Sequence, residues 1–222
     1  MLAFVGGFWL TQYVMKKLGA KDEEKQAEVW ENRVEEYSSE NNNPHMGDII
    51  FQTSMGSQSQ AIQLATHSKY SHVGIVFIVD GKPVVYEAVQ PVRITPLQQW
   101  IENGKGKHYV VKRLVNRGEV LTPTVVQKMK SLANSFLGKN YDIYFGWSDN
   151  RFYCSELVWK VYKRVANIEI GSLDKLGNFD LEHDIVQKIM KERYGNKVPL
   201  EEKVISPEAM FISSKLITVV EQ

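Results

Sequence analysis

Apolar and polar positions change period at Asn41-Asn42-Asn43-Pro44, a run that breaks both helix and strand. Before it, residues 21–40 are highly charged, and Ala27, Trp30, Val34 and Tyr37 fall three, four and three apart. That spacing predicts a helix with a thin apolar stripe, laid over a domain or acting as a stalk. Beyond the break, residues 47–52 predict a strand. Residues 57–67, with Ala61, Ile62, Leu64 and Ala65, predict a short helix. Residues 70–79 and 84–89 are β-branched, aromatic runs on either side of Asp80-Gly81-Lys82-Pro83, the pattern of a hairpin. A helix over 96–103 and a strand over 109–114 follow. Thr122-Pro123-Thr124 caps a helix that runs to Phe136 and closes at Gly138. An aromatic loop over 141–147 then leads to a helix whose apolar face is Leu157, Val158, Val161, Tyr162 and Val165. Residues 171–198 read as irregular except for a charged helix over 181–193. Ser206-Pro207-Glu208 caps a last short helix, and residues 216–220 predict a closing strand.

The single cysteine of the chain, Cys154, falls where the polar loop meets the helical period, so Ser155-Glu156 forms the first turn. A thiol there faces unpaired backbone N–H groups and the positive end of the helix dipole, which stabilise a thiolate. A lone cysteine is otherwise a small buried apolar residue. His72 opens the first strand of the hairpin, and Glu87 lies along the second. Together they supply a nucleophile, a base and an acid that orients the base. If Gly81-Lys82 centres the turn, residue i faces residue 163 − i, so His72 faces Pro91 and Glu87 faces Val76. The two side chains then share a face but stand about 13 Å apart along the strands. Their contact requires a bulge or a shifted turn.

The stretches Gly47-Asp48-Ile49-Ile50-Phe51-Gln52, Ser57 through His67, Tyr70-Ser71-His72-Val73-Gly74, Glu87-Ala88-Val89, Leu137 through Asp142 and Tyr153 through Val158 together resemble the YiiX/YebB-like cysteine hydrolases, a circularly permuted branch of the NlpC-type papain-like superfamily. The resemblance covers roughly residues 46–215. It implies an α+β fold: a permuted papain-like core with an antiparallel sheet packed against the nucleophile helix, the histidine strand preceding the cysteine. It assigns Cys154 as nucleophile, His72 as base and Glu87 as orienting acid. Tyr153 stands where the wider superfamily has aspartate. Tyr70 is the expected side-chain oxyanion donor, and Tyr153, Ser155 and Trp147 are expected around the pocket.

Composition is that of one globular hydrolase domain, 43% hydrophobic and 24% charged, and 27 basic against 26 acidic residues argue against a nucleic-acid partner. Residues 2–15 are apolar apart from Thr11 and Gln12 and end at Lys16-Lys17. The run is short for a transmembrane helix and lacks a signal peptide's basic start and cleavage site. A signal-anchor of atypical length, an interfacial helix or a packed helix all fit it, so a cell-envelope location with possible membrane association is favoured over the cytoplasm. The expected organisation is thus an apolar segment at 1–19, a charged helix and linker at 20–45, and a hydrolase domain at 46–222. No cofactor is expected. Of His45, His67, His72, His108 and His183, only His67 and His72 have zinc-like spacing, without a cysteine pair, so no metal site is expected. Nucleotide-binding glycine motifs and a G-x-S-x-G elbow are missing from the sequence. Two classes of function follow. One is a cysteine hydrolase that forms an acyl-enzyme on Cys154 and cleaves an amide (peptide or γ-glutamyl) or acyl-lipid bond. The other is a noncatalytic module that binds lipid or cell-wall peptide.

Overall fold

In the computed structural model, residues 43–222 are described. The apolar segment and the charged helix expected before the Asn-rich break lie outside the described residues. The elements in chain order are β1 (Ile49–Ser54), α1 (Ser57–Thr66), β2 (His72–Val79), β3 (Lys82–Glu87), β4 (Arg93–Pro96), α2 (Leu97–Glu102) and β5 (Gly104–Leu114). Then come α3 (Arg117–Val120), α4 (Pro123–Asn134), β6 (Asn140–Tyr141), β7 (Arg151–Phe152) and α5 (Cys154–Ala166). The C-terminal part holds β8 (Asp174–Lys175), a 3₁₀ turn (Leu176–Asn178), α6 (Asp184–Tyr194), β9 (Lys203–Val204), α7 (Pro207–Phe211) and β10 (Leu216–Glu221). Six strands form one antiparallel sheet in the order β10-β5-β1-β2-β3-β4. The fold is α+β, as the resemblance implied.

β2 is near the middle of the sheet and buried along almost its whole length, which is why it reads as a continuous apolar run instead of alternating. On one side Ile50, Val76, Val85 and Val111 pack against Trp100 of α2, with Leu97 and Ile101 at the margin. α5 also packs against β2, and α4 packs against α5. A separate apolar cluster joins α1 to α6 through Ala61, Val186 and Met190, with Leu176 from the 3₁₀ turn. Among the described residues no helix is long and apolar enough to cross a membrane.

The hairpin register differs from the expectation. Ile75 pairs with Tyr86 and Val79 with Lys82, so residue i faces residue 161 − i. The two turn residues are Asp80 and Gly81, both with positive φ (51° and 75°), which is the Asp-Gly two-residue turn whose twist suits a hairpin. Moving the turn by one residue halves the offset: Glu87 falls level with Gly74, two residues from His72 on the same face, close enough for long side chains to meet. Gly74 is needed there. A Cβ on it would collide with Val85 and lie 2.9 Å from the carbonyl oxygen of Tyr86.

Several short elements carried no clear signal in sequence. β4 pairs with β3, Glu87 opposite Arg93 and Val85 opposite Thr95. β5 begins at Gly104, earlier than its apolar run, after a register shift between Gln52 and Ser54 of β1. β6 and β7 make a two-residue parallel pair, Asn140 with Arg151 and Tyr141 with Phe152, that brings the chain to the start of α5.

Candidate active site

Cys154 is the first residue of α5, buried, with Tyr153 in extended conformation before it. The turn is fixed from both sides. Tyr153 N–H donates to Glu156 Oε2 (3.3 Å), satisfying one of the donors at the helix start. The Tyr153 hydroxyl accepts from Ile205 N–H (3.1 Å), and Ser155 Oγ donates to the Ile205 carbonyl (2.7 Å). The residues flanking the thiol therefore clamp the 204–206 segment against the helix start. The sulfur lies 4.0 Å from the Ser71 carbonyl, directly before His72. Ser71 is itself fixed, its Oγ bonded to Ser59 Oγ (2.6 Å) and accepting from Ser54 N–H (3.0 Å).

His72 opens β2, paired with Gln52 of β1. Its Nε2 is 2.6 Å from Glu87 Oε2, and the ring stacks on Trp100 at 5.9 Å. The other ring nitrogen is left for the thiol of Cys154, which lies near enough to raise the pKa of the ring. Burial opposes a charged ring, but the hydrogen bonds and charges of Cys154 and Glu87 outweigh it and raise the His72 pKa to about 10. For Glu87, burial pushes the pKa up, but His72, then Thr95 and Arg93, bring it down to about 2. Glu87 Oε2 also accepts from Trp100 Nε1 (2.9 Å), and Oε1 accepts from Thr95 Oγ1 (2.6 Å) and Arg93 Nε (3.1 Å). The structure thus brings Cys154, His72 and Glu87 together in one chain of contacts, with the imidazole between thiol and carboxylate.

The secondary candidates divide. Tyr153 and Ser155 line an apolar cavity that Cys154 also lines, each with its polar atom committed to Ile205. Trp147 stacks edge-on against Trp159 and lies over the Lys160 ammonium, so it covers α5 and is not on the wall of that cavity. Tyr70 packs its ring on Phe51 and Phe211, and lines neither the apolar cavity nor the cleft that holds His72. Tyr141 was read from the sequence only as one of the aromatic residues before the nucleophile; its hydroxyl accepts from Gln58 Nε2 (2.9 Å), and its pKa is pushed well up by burial and by the neighbouring Cys154 charge. Its place beside the thiol comes from the β6–β7 pair, too short to leave a periodic signal. Trp100, Thr95 and Arg93, which fix Glu87, were also missed; only tertiary pairing brings them to one carboxylate.

Under the first turn of α5 lies a buried ionic group. Lys160 Nζ meets Glu156 Oε1 (2.6 Å), Asp149 Oδ1 (2.9 Å) and the Ser148 carbonyl (2.9 Å), which ties the loop before β7 to the nucleophile helix. Burial raises the Glu156 pKa to about 7 against the opposing pull of Lys160.

Residues 43–220 match the family described as permuted papain-like amidase enzyme, YaeF/YiiX, C92 family. The chain is 51% identical over 179 residues to the uncharacterized protein YiiX of Escherichia coli strain K12, covering 81% of this chain and 87% of that one. A crystal structure of YiiX from Escherichia coli O157:H7, described as a metalloprotein, superposes with a TM-score of 0.76 at 51% identity, over 81% of this chain and 98% of the other. With the match spanning nearly all of the described fold and the cysteine, histidine and glutamate in one site, the chain belongs to the permuted papain-like amidases of the YaeF/YiiX family.

Proposed function

We propose that the protein is a thiol hydrolase that forms an acyl-enzyme on Cys154 and cleaves amide bonds, with esters as the easier substrates. The observation that carries this reading is the buried His72–Glu87 pair next to Cys154, whose sulfur at the helix start lies 4.0 Å from the carbonyl of Ser71, the residue before His72, so that each group has the role a nucleophilic mechanism needs. The thiolate attacks the carbonyl carbon and the S–C bond forms. The imidazolium gives its proton to the leaving nitrogen as the C–N bond breaks. His72 then takes a proton from water, the hydroxyl adds to the thioester, and the C–S bond breaks to release the acid and restore the thiolate. Glu87 holds the ring orientation and balances the imidazolium.

The developing oxyanion has a natural first donor in the backbone N–H of Cys154 at the helix start. Tyr141 is the second donor favoured by position, since its oxygen already accepts from Gln58 and its own proton is free to donate. It takes the part expected of Tyr70.

YiiX of Escherichia coli O157:H7 is described as a metalloprotein. Among the described residues here, no three His, Cys, Asp or Glu side chains come together as a metal-binding group.

The reading is tested by hydrolysis of acyl amides and acyl esters with the full chain. Cys154→Ala is expected to abolish turnover of both, and His72→Ala to affect amides most, because an amine leaving group needs the proton. For the same reason amide turnover is expected to fall as pH rises through about 10, where His72 loses its proton. Equal amide rates in wild type and His72→Ala would overturn the assignment.

A further inference from the structure

The thiol and its base face different spaces. Cys154 lines a cavity of ≈ 80 Å³ whose walls are almost wholly apolar, among them Ala61 and Ala65 of α1, Ile189 and Met190 of α6, and Phe145. His72 and Glu87 line an open polar cleft instead, with Gln90, Asn140 and Arg151 around it. Gln58, Ile62 and Tyr141 line both spaces, so these residues form the boundary between them.

The reaction chemistry assigns each space a half of the substrate. In the acyl-enzyme the acyl group is bonded to the Cys154 sulfur, and the leaving group is the part that takes the His72 proton. We infer that the apolar cavity holds the hydrocarbon chain of the acyl group while the polar cleft takes the amine or alcohol that leaves, so that the substrates are short-chain acyl compounds with a polar head. This deepens the acyl-enzyme reading above and rests on it.

Size sets the chain length. An apolar cavity of about 150 Å³ accepts benzene, six carbons, so ≈ 80 Å³ accepts about three. An acyl group of about four to five carbons, its carbonyl outside the cavity, fills it. A bulky acyl side is excluded by the walls, and a cationic one finds no anion among the lining residues to replace its water. Arg193, also on the wall, gives one N–H to Gln58 Oε1 (2.9 Å) and lies against the Phe145 ring (5.3 Å to its centre). That contact steadies Gln58, and through it Tyr141, at the boundary.

The test is a chain-length series of p-nitrophenyl esters and of matching N-acyl amino acids, from acetyl to hexadecanoyl, with the full chain. kcat/KM is expected to peak near butanoyl to pentanoyl and to exceed acetyl by at least about tenfold. Ala65→Leu, a good helix former that projects into the cavity, is expected to lower the butanoyl-to-acetyl ratio by about tenfold. Ile189→Ala, which enlarges it from α6, is expected to move the optimum about two carbons longer. Circular dichroism of both variants checks the fold, and the wild-type series stands if either fails to fold. A flat chain-length profile with Cys154 still acylated by every ester overturns the cavity assignment and leaves the thiol mechanism standing. If no chain length acylates Cys154, both fall.

Discussion

Glu87 shows how completely one residue can be specified. A carboxylate offers about four lone-pair sites, and here four donors occupy them: His72 and Trp100 at one oxygen, Thr95 and Arg93 at the other. Glutamine cannot replace it without conflict, because its NH₂ group must face two donors whichever way the amide is turned. Glu87→Gln is therefore expected to lower kcat by about 10²–10⁴, as loss of the orienting acid does in related chemistry. The two mismatched donors are expected to cost about 1–3 kcal/mol of stability as well. Steady-state kinetics and denaturant unfolding read the two effects separately, and a wild-type kcat would show that the carboxylate is only a packing group. At this scale the sequence was informative about residue types: a thiol at a helix start, an imidazole at a strand start and an acid on the next strand were all legible. What it could not show is the convergence of Thr95, Arg93 and Trp100, which are separated from Glu87 by a turn and a helix whose docking depends on the whole sheet.

Among the elements, the nucleophile helix depends on what lies beneath it. Lys160 is almost wholly buried, and its ammonium joins Glu156 of the first turn to Asp149 and Ser148 of the preceding loop. Lys160→Met keeps the length and apolar packing but leaves a buried carboxylate without its cation, a change that costs about 3–5 kcal/mol. Burial already raises the Glu156 pKa to about 7, and loss of Lys160 removes the pull that opposes this rise. The carboxyl is then neutral at pH 5 and charged only at higher pH, so the destabilisation is expected to be smaller at pH 5 than at pH 8.5. Unfolding of both proteins at the two pH values checks this, and an equal loss would mean that the ionic group does not govern the helix start. Long elements such as α5, α4 and β2 were readable because their apolar positions recur over several helical turns or, in β2, form one unbroken run. β4, β6 and β7 were not: at two to four residues they have no period, and they exist because longer neighbours present an edge or a turn to them. The hairpin register is an intermediate case. Its Asp-Gly signal was present in the sequence, but centring the turn one residue too late placed His72 and Glu87 twice as far out of line as they are.

For the whole molecule, the buried titrating groups predict how stability follows pH. His72 has a folded pKa of about 10 against an ordinary 6.5, so its contribution is fully present below 6.5 and is lost as pH rises through about 10. Glu87, at about 2 against 4.5, contributes above 4.5 and loses that contribution as pH falls toward 2. Glu156, raised from 4.5 to about 7, contributes below 4.5 and loses it as pH rises through 7. The melting temperature is therefore expected to be highest in mildly acid solution, to fall on both sides, and to fall less on the alkaline side in His72→Gln. A melting temperature that rises from pH 6 to pH 10 would contradict the ion-paired site. Among the described residues the sheet carries a base and its acid to one side of a thiol on a helix, and the function proposed for that arrangement is covalent chemistry at the thiol. The most direct measurement is an acid quench of the protein during turnover of a butanoyl ester, followed by intact-mass and peptide mass spectrometry, with release of the leaving group followed in parallel. A stoichiometric burst and a mass increase of one butanoyl group on Cys154, lost with time and missing in Cys154→Ala, is the result expected. Turnover by Cys154→Ala at the wild-type rate would contradict it.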